Sequence, residues 1–373
     1  MDSNDFIPVN EPLLNGNEKK YLAECIDTGW ISSEGPFVKE LEEKFSKRIG
    51  RKYGVAVCNG TAALEAAVIA CGIGRGDEVI MPSFTIISCA SAIVRAGGIP
   101  VLIDSDSCTW NMDIKQIKNK ITKRTKAIMV VHIYGLPVDM DPVLDLAKEN
   151  HLKVIEDAAE VIGQEYNKKP CGSFGDVSTF SFYPNKHITT GEGGMIVTDD
   201  EEIAERCRSL RNLCFRPEKR FIHYELGFNF RMTNIQAALG LAQFERLEEF
   251  IAKKREIGKM YNELFKDNPY FELPLEKTEF AENIYWVYGI VLKSKINFDA
   301  EEAMKILGRM KIGTRPFFHP MHLQPVFDKM NLFKNEIYPV SENLSKRGFY
   351  IPSGLALTEE QIRSSAKALL SIF

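Results

Sequence analysis

The sequence predicts an α/β protein, with a large, mostly parallel sheet followed by a smaller C-terminal α/β domain. Three observations lead there. From Tyr53 onward, short apolar runs bounded by turn residues alternate with segments of helix length, the pattern of strand–helix–strand units. These runs are apolar at nearly every position, as strands covered on both faces are. Beyond a long helical stretch the pattern restarts on a smaller scale, which divides the chain into residues 1–245 and 246–373.

Taken in order, residues 17–27 have helical spacing at Tyr21, Leu22, Cys25 and Ile26, and a Gly/Ser/Pro loop, GWISSEGPFV, ends that helix. Residues 37–49 form a second amphipathic helix. The strand runs are 53–59, 78–82, 99–104, 127–135 and 153–159, then 177–183 and 195–198. EEIAERCRSLRNL has acids early and bases late, as the helix dipole favours. The next segment, RPEKRFIHYELGFNFRMTN, is an irregular polar-aromatic loop that suits either solvent or an interface. Residues 235–260 read as one long helix bridging to the second domain. There, 283–293 is a strand, 300–310 a helix, and a second strand precedes the polar-aromatic run GTRPFFHPMHLQP.

With 373 residues, 45% hydrophobic and 26% charged, the chain can bury a large core. A net charge of -4 and a pI near 6.0 give no basic footprint for nucleic acid. The N-terminus lacks a basic and an apolar signal region, and no apolar run reaches the roughly 20 residues of a membrane span. A cytoplasmic protein without a membrane partner is expected. The eight cysteines form no CxxC pair and sit mostly in apolar surroundings, which suits packed, reduced thiols, and no metal site is expected.

Chemistry concentrates at the carboxyl ends of the strands, where open α/β sheets bind ligands. Lys186 lies on a loop between two strand runs, with Gly191, Gly193 and Gly194 permitting a tight return. A lysine that bonds pyridoxal phosphate needs a carboxylate for the pyridine nitrogen and a phosphate cradle. Glu156 and Asp157 end one run and alternate in direction, so at most one faces a shared ligand. Gly60-Thr61-Ala62-Ala63 opens a helix whose first amides, with the Thr61 hydroxyl, can hold a phosphate. The same residues also fit a solvated loop lysine, a loop carboxylate and an ordinarily capped helix.

In this order, NGTAA, VIEDAAE, SFYPNKHITTGEGG and GFNFRMTN resemble the sugar-nucleotide aminotransferases of the DegT/DnrJ/EryC1/StrS family over nearly the whole chain. The runs WISSEG, TKAIMVVHIYG, TTGEGGMIVT, RMTNIQAALGLAQ and RPFFHPMH are most similar to members acting on a GDP-linked sugar. The resemblance implies a pyridoxal-phosphate-dependent transferase of fold type I, like aspartate aminotransferase. It implies that Lys186 bonds the cofactor, that Asp157 pairs with its ring nitrogen and that Glu160 lies near its 3′-oxygen. Ser181 and the backbone of Thr61 and Ala62 would hold the phosphate, joined by Asn229 from the partner of a homodimer. L-Glutamate would donate the amino group. The acceptor would be a nucleotide-linked 4-keto-6-deoxy sugar for surface polysaccharide, or a smaller phosphorylated ketone such as dihydroxyacetone phosphate. A non-catalytic sensor of the cofactor or of an amino sugar is the reading from another class. Relatives with histidine in place of this lysine dehydrate their sugar, so Lys186 favours amino transfer. Arg315, His319 and His322 form a cation- and imidazole-rich run suited to an anionic acceptor or to a polar surface turn. Two departures from the family pattern stand beside the cofactor: Ile86 where relatives commonly stack an aromatic, with Phe84 as the candidate substitute, and Tyr183-Pro184 before Asn185-Lys186.

Overall fold

Seven of the apolar runs become one sheet in the computed structural model, which describes residues 6–373. They are β1 Tyr53–Val57, β2 Glu78–Pro82, β3 Ile99–Ile103, β4 Thr125–Val131, β5 Lys153–Asp157, β6 Val177–Ser181 and β7 Gly194–Thr198. Their order is β1-β7-β6-β5-β4-β2-β3. Only β7 runs antiparallel to its neighbours, β1 and β6. Alternation within a strand divides the core: Ile128 and Val130 pack on one face, Ala127, Met129 and Val131 on the other. Helices Pro36–Ile49 and Asn234–Phe244 cover the first face through Leu41, Phe45 and Leu241. Helices Gly60–Ala70 and Ile87–Arg95 cover the second through Ala63, Ala67 and Ile93. Both faces are thus dry, which is why the strands read as unbroken apolar runs.

Four further strands build a smaller sheet: β8 Phe271–Glu272, β9 Tyr288–Leu292, β10 Arg315–Pro316 and β11 Gly348–Ile351, in the order β8-β9-β11-β10. Its own core gathers Tyr261, Phe265, Tyr288, Ile290, Leu307, Phe349 and Leu369. The N-terminal segment also reaches this part of the molecule, since Ile7 bridges to Ile312 and the Val9 carbonyl accepts from the Ser353 amide at 3.0 Å. Among the described residues no helix is long and apolar enough to cross a membrane.

Two expected elements are corrected. The single helix over 235–260 is two, Asn234–Phe244 and Leu247–Leu264. Apolar spacing continues through the break, but the N-terminal segment holds the residues that interrupt it: Asn17 and Tyr21 bond the Glu245 carboxylate, and Asn15 bonds Arg246. The strand expected over 283–293 pairs only from Tyr288. Before that point the apolar residues are shared among cores, Ile284 going to one face of the large sheet and Trp286 and Val287 to the other. Burial, not pairing, explains their hydrophobicity.

Candidate active site

The loop after β6 turns at once, with the Lys186 amide on the Tyr183 carbonyl at 2.9 Å and the Thr190 amide on that of Phe182 at 3.0 Å. Gly191 takes φ 80°, which favours glycine and lets the chain return into β7. The Lys186 side chain is thereby held in a cleft of about 680 Å³ at the carboxyl ends of β5 and β6. Thr61, Ala62, Asp157, Glu160, Ser181 and Lys186 all line this cleft. Six residues spread over 126 positions of sequence therefore meet in one cleft.

Asp157 and Glu156 do point opposite ways. The Glu156 carboxylate is sealed behind the sheet, accepting from His132 Nε2 at 3.0 Å, from Ser178 Oγ at 3.0 Å and from the amides of Gly172, Phe174 and Gly175. Burial pushes its pKa up, but the imidazole and these amides more than reverse that and hold it below the usual carboxylate range. It anchors the segment under β5. On the cleft side, Asp157 Oδ1 accepts from the Ala159 amide at 3.1 Å and Oδ2 from the Cys89 thiol at 3.3 Å. Burial raises its pKa against the pull of those donors and of Lys186.

Lys186 Nζ stands 3.9 Å from Glu160 Oε1 and 3.6 Å from the centre of the Trp286 ring. Burial pushes the lysine pKa down from its ordinary value, restrained by Glu160 and Asp157. Burial likewise raises the Glu160 carboxyl to about 8, although the Tyr134 amide donates to it at 2.8 Å. A lysine so placed reaches its unprotonated form more readily than one in water, as both bond formation to a carbonyl and proton transfer require.

At the helix start, Asn59 Oδ1 takes the Ala62 amide at 2.8 Å and the Asn59 carbonyl takes that of Ala63 at 3.1 Å. Of the first turn's donors, those of Gly60 and Thr61 are then the ones left for a ligand. Thr61 Oγ1 bonds Ser88 Oγ at 2.8 Å, so two hydroxyls face the cleft together. Ser181 closes the other side: a Cβ on Gly60 would stand 2.8 Å from the Ser181 Cβ. Two buried polar atoms in the cleft wall, Thr179 Oγ1 and Asn185 Oδ1, have no partner among the described residues.

The remaining expected residues lie elsewhere. Asn229 is exposed and pairs with Asn212, outside the cleft, although its neighbour Phe230 lines it. Arg315 is exposed on β10 opposite Tyr350, whose ring lines the cleft. His319 is exposed and bonds the Leu323 carbonyl at 3.2 Å. His322 is buried between Ser83 Oγ at 2.9 Å and Glu342 Oε1 at 3.1 Å, so its imidazole is occupied in packing and does not line the cleft. Phe84 is no substitute for a stacking aromatic: it is fully buried among Tyr134, Phe317 and Phe318, and Ile86 alone of the two reaches the cleft. Sequence reasoning missed Trp286, Ser88, Cys89, Thr179 and Tyr350. None of them carries a local signal, Trp286 itself reading as strand core in NIYWVYGIVLK.

A family model described as the DegT/DnrJ/EryC1/StrS aminotransferase family matches residues 12–370. The chain belongs to this family. A GDP-perosamine synthase of Escherichia coli O157:H7 is 42% identical over 357 residues, 96% of each chain. A spore coat polysaccharide biosynthesis protein of Bacillus subtilis is 34% identical, covering 99% of this chain and 97% of that one. Among solved structures, Helicobacter pylori PseC, an aminotransferase involved in the biosynthesis of pseudoaminic acid, superposes with a TM-score of 0.93 at 26% identity, covering 99% of both chains.

The cofactor of such aminotransferases, pyridoxal phosphate, fits the residues present. The unpartnered Thr179 and Asn185 atoms and the hydroxyl- and amide-lined cradle at Gly60 are what a polar, phosphorylated ring would satisfy. Gly60, Thr61, Ser88 and Ser181 would hold its phosphate, Asp157 its ring nitrogen, and Lys186 its carbonyl carbon. When bound, the cofactor supplies an electron sink for a carbanion next to nitrogen. The chain's own residues would contribute the rest: Asp157 a carboxylate toward the ring nitrogen, Lys186 Nζ an amine that would move a proton, and Ile86, Phe230, Trp286 and Phe318 walls that would limit water.

Proposed function

We propose that this aminotransferase moves the amino group of L-glutamate to the keto group of a nucleotide-linked 4-keto-6-deoxy sugar, in the manner of a perosamine synthase, for surface polysaccharide made in the cytoplasm. The observation that carries this reading is the 42% identity to GDP-perosamine synthase across 96% of both chains. The presence of Lys186, 3.9 Å from Glu160 and in one cleft with Asp157, supports amino transfer over dehydration. The division at residue 245 belongs to this reading, with 1–245 holding the cofactor and 246–373 supplying Trp286, Phe318 and Tyr350 to the cleft. Release of 2-oxoglutarate from L-glutamate with GDP-, dTDP- and UDP-linked keto sugars and with dihydroxyacetone phosphate tests the acceptor. Turnover with the triose phosphate and none with a nucleotide sugar would replace the sugar by the smaller ketone.

Arg315 is the cation this reading assigns to the acceptor. Burial and then Glu160 raise the Tyr350 hydroxyl to about 12 although the Arg315 charge pulls it down, so that charge is felt at the cleft wall. Arg315→Ala is expected to leave the single-turnover reaction with glutamate within about twofold and to slow amination of the keto sugar by roughly tenfold or more, the worth of one charge-assisted bond. Stopped-flow absorbance on each half separates the two. Equal loss in both removes Arg315 as an acceptor contact.

A homodimer completes the site in the same reading. Phe221, Ile222, Tyr224 and Leu226 are all exposed on one segment that ends at Asn229, an apolar surface of the kind a partner covers. Asn229→Ala and Lys186→Ala chains, each inactive, are expected to recover up to about a quarter of wild-type activity when refolded together, because random pairing gives about one site in four both intact residues. No recovery, or full activity from a monomer, contradicts the shared site.

A further inference from the structure

Lys254 is buried on the helix Leu247–Leu264 at 1% exposure, far along the chain from every motif residue. Its ammonium donates to two backbone carbonyls, those of Trp286 at 2.9 Å and Ser353 at 2.5 Å. Among the described residues no carboxylate pairs with it, and burial pushes its pKa down to about 7. A long cation hidden without a counter-ion is an expensive way to fill a core. What it holds identifies its use.

Both carbonyls belong to segments that clamp the loop carrying Lys186. The Trp286 ring stands 3.6 Å from Lys186 Nζ, and its indole N–H donates to the Asn185 carbonyl at 2.8 Å. The Ser353 amide holds the Val9 carbonyl at 3.0 Å, and the next residue, Asn10, donates its side-chain amide to the Pro184 carbonyl at 3.1 Å. Lys254 is therefore tied to both arms that reach Pro184-Asn185-Lys186, one through a side chain of the small domain and one through the N-terminal segment. The same ammonium helps hold His187, next to Lys186, neutral, since burial and then Lys254 lower that imidazole to about 3.

The geometry points to Lys254 as a positioning residue of the transfer reaction, one that fixes Trp286, and through it the lysine loop, from behind the active site. It is not among the residues that line the cleft. It acts by setting the backbone from which the indole reaches Asn185 and closes over Nζ. This rests on Lys186 being the lysine that bonds the cofactor, so the test carries one readout that needs no cofactor.

The experiment is a double-mutant cycle of Lys254→Met and Trp286→Phe, read in two ways. In cofactor-free protein, the emission of Trp286, taken as the difference between matched chains with and without Trp286→Phe, is expected to move to longer wavelength in Lys254→Met as the indole loosens. In protein loaded with pyridoxal phosphate, Lys254→Met is expected to slow the glutamate half-reaction by about tenfold with little change in glutamate KM. In the Trp286→Phe background the same change is expected to cost less than about twofold, because the residue it acts through is gone. If Lys254→Met does not fold, the cycle is run with Lys254→Gln, which keeps two N–H donors on a shorter arm and is expected to show the same pattern at smaller amplitude. An unchanged Trp286 emission, a full additive loss in the Trp286→Phe background, or a lower melting temperature with an unaltered half-reaction overturns the inference. Failure of borohydride to trap the cofactor on Lys186 overturns the parent reading instead and leaves the emission result standing.

Discussion

Lys186→Ala is expected to lose turnover altogether, by at least roughly 10⁴-fold, while the protein folds and melts as before or slightly higher. The first part follows from position: among the described residues Lys186 is the one lysine lining the cleft, and in the proposed reading its Nζ is the amine that would both bond the cofactor and carry the proton. Loss of a group with both roles costs on the scale of a removed nucleophile, about 10⁴ to 10⁶ in rate. The second part follows from burial. Nζ sits in a desolvated wall against Trp286, so removing it relieves an unfavourable burial of charge and leaves no packed methylene core behind. Borohydride reduction of the wild-type protein loaded with pyridoxal phosphate, followed by peptide mapping, is expected to find the adduct on Lys186 and none on the variant's remaining lysines. An adduct on another lysine ends the assignment.

Asp157→Asn is the next largest effect. The carboxylate lies at the end of β5, held by the Ala159 amide and the Cys89 thiol, and in the proposed reading it is the charge that would keep a pyridine nitrogen protonated. Asparagine keeps the shape and removes the charge. The glutamate half-reaction is expected to slow by roughly 10⁴-fold, the scale found when a charge-orienting aspartate is neutralised in a serine protease. Cofactor affinity, carried largely by the phosphate cradle at Gly60 and Ser181, should fall far less. Single-turnover absorbance traces measure the first and equilibrium titration with pyridoxal phosphate the second. A near-normal rate in Asp157→Asn would mean that another group supports the ring nitrogen.

Which parts of this molecule were legible in the sequence follows from how local each signal is. The seven strands of the large sheet were readable because burial on both faces makes each an unbroken apolar run bounded by turns, as in Ile128 to Val131. The cleft residues were readable because Asp157, Ser181 and Lys186 end strands or open loops, where chemistry in such folds collects, and because the motif order matched a family. The helix break at Glu245-Arg246 was hidden, since the interruption is imposed by Asn15, Asn17 and Tyr21 from the far end of the chain. Trp286 was hidden for a similar reason. An aromatic in NIYWVYGIVLK reads as strand core, and nothing local says that the chain at that point leaves the small domain to close over Lys186. His322 misled in the opposite direction. Its imidazole sits in a run with Arg315 and His319, yet Ser83 and Glu342 claim both ring nitrogens.

The central claim is that nitrogen leaves glutamate and arrives on a nucleotide-linked sugar. Incubation of the purified protein and pyridoxal phosphate with ¹⁵N-labelled L-glutamate and a GDP-linked 4-keto-6-deoxy sugar, followed by mass spectrometry, tests it most directly. One ¹⁵N is expected in each aminated sugar nucleotide, with one 2-oxoglutarate for each sugar converted. 2-Oxoglutarate formed without label in any sugar nucleotide, or a dehydrated sugar carrying no nitrogen, would contradict it.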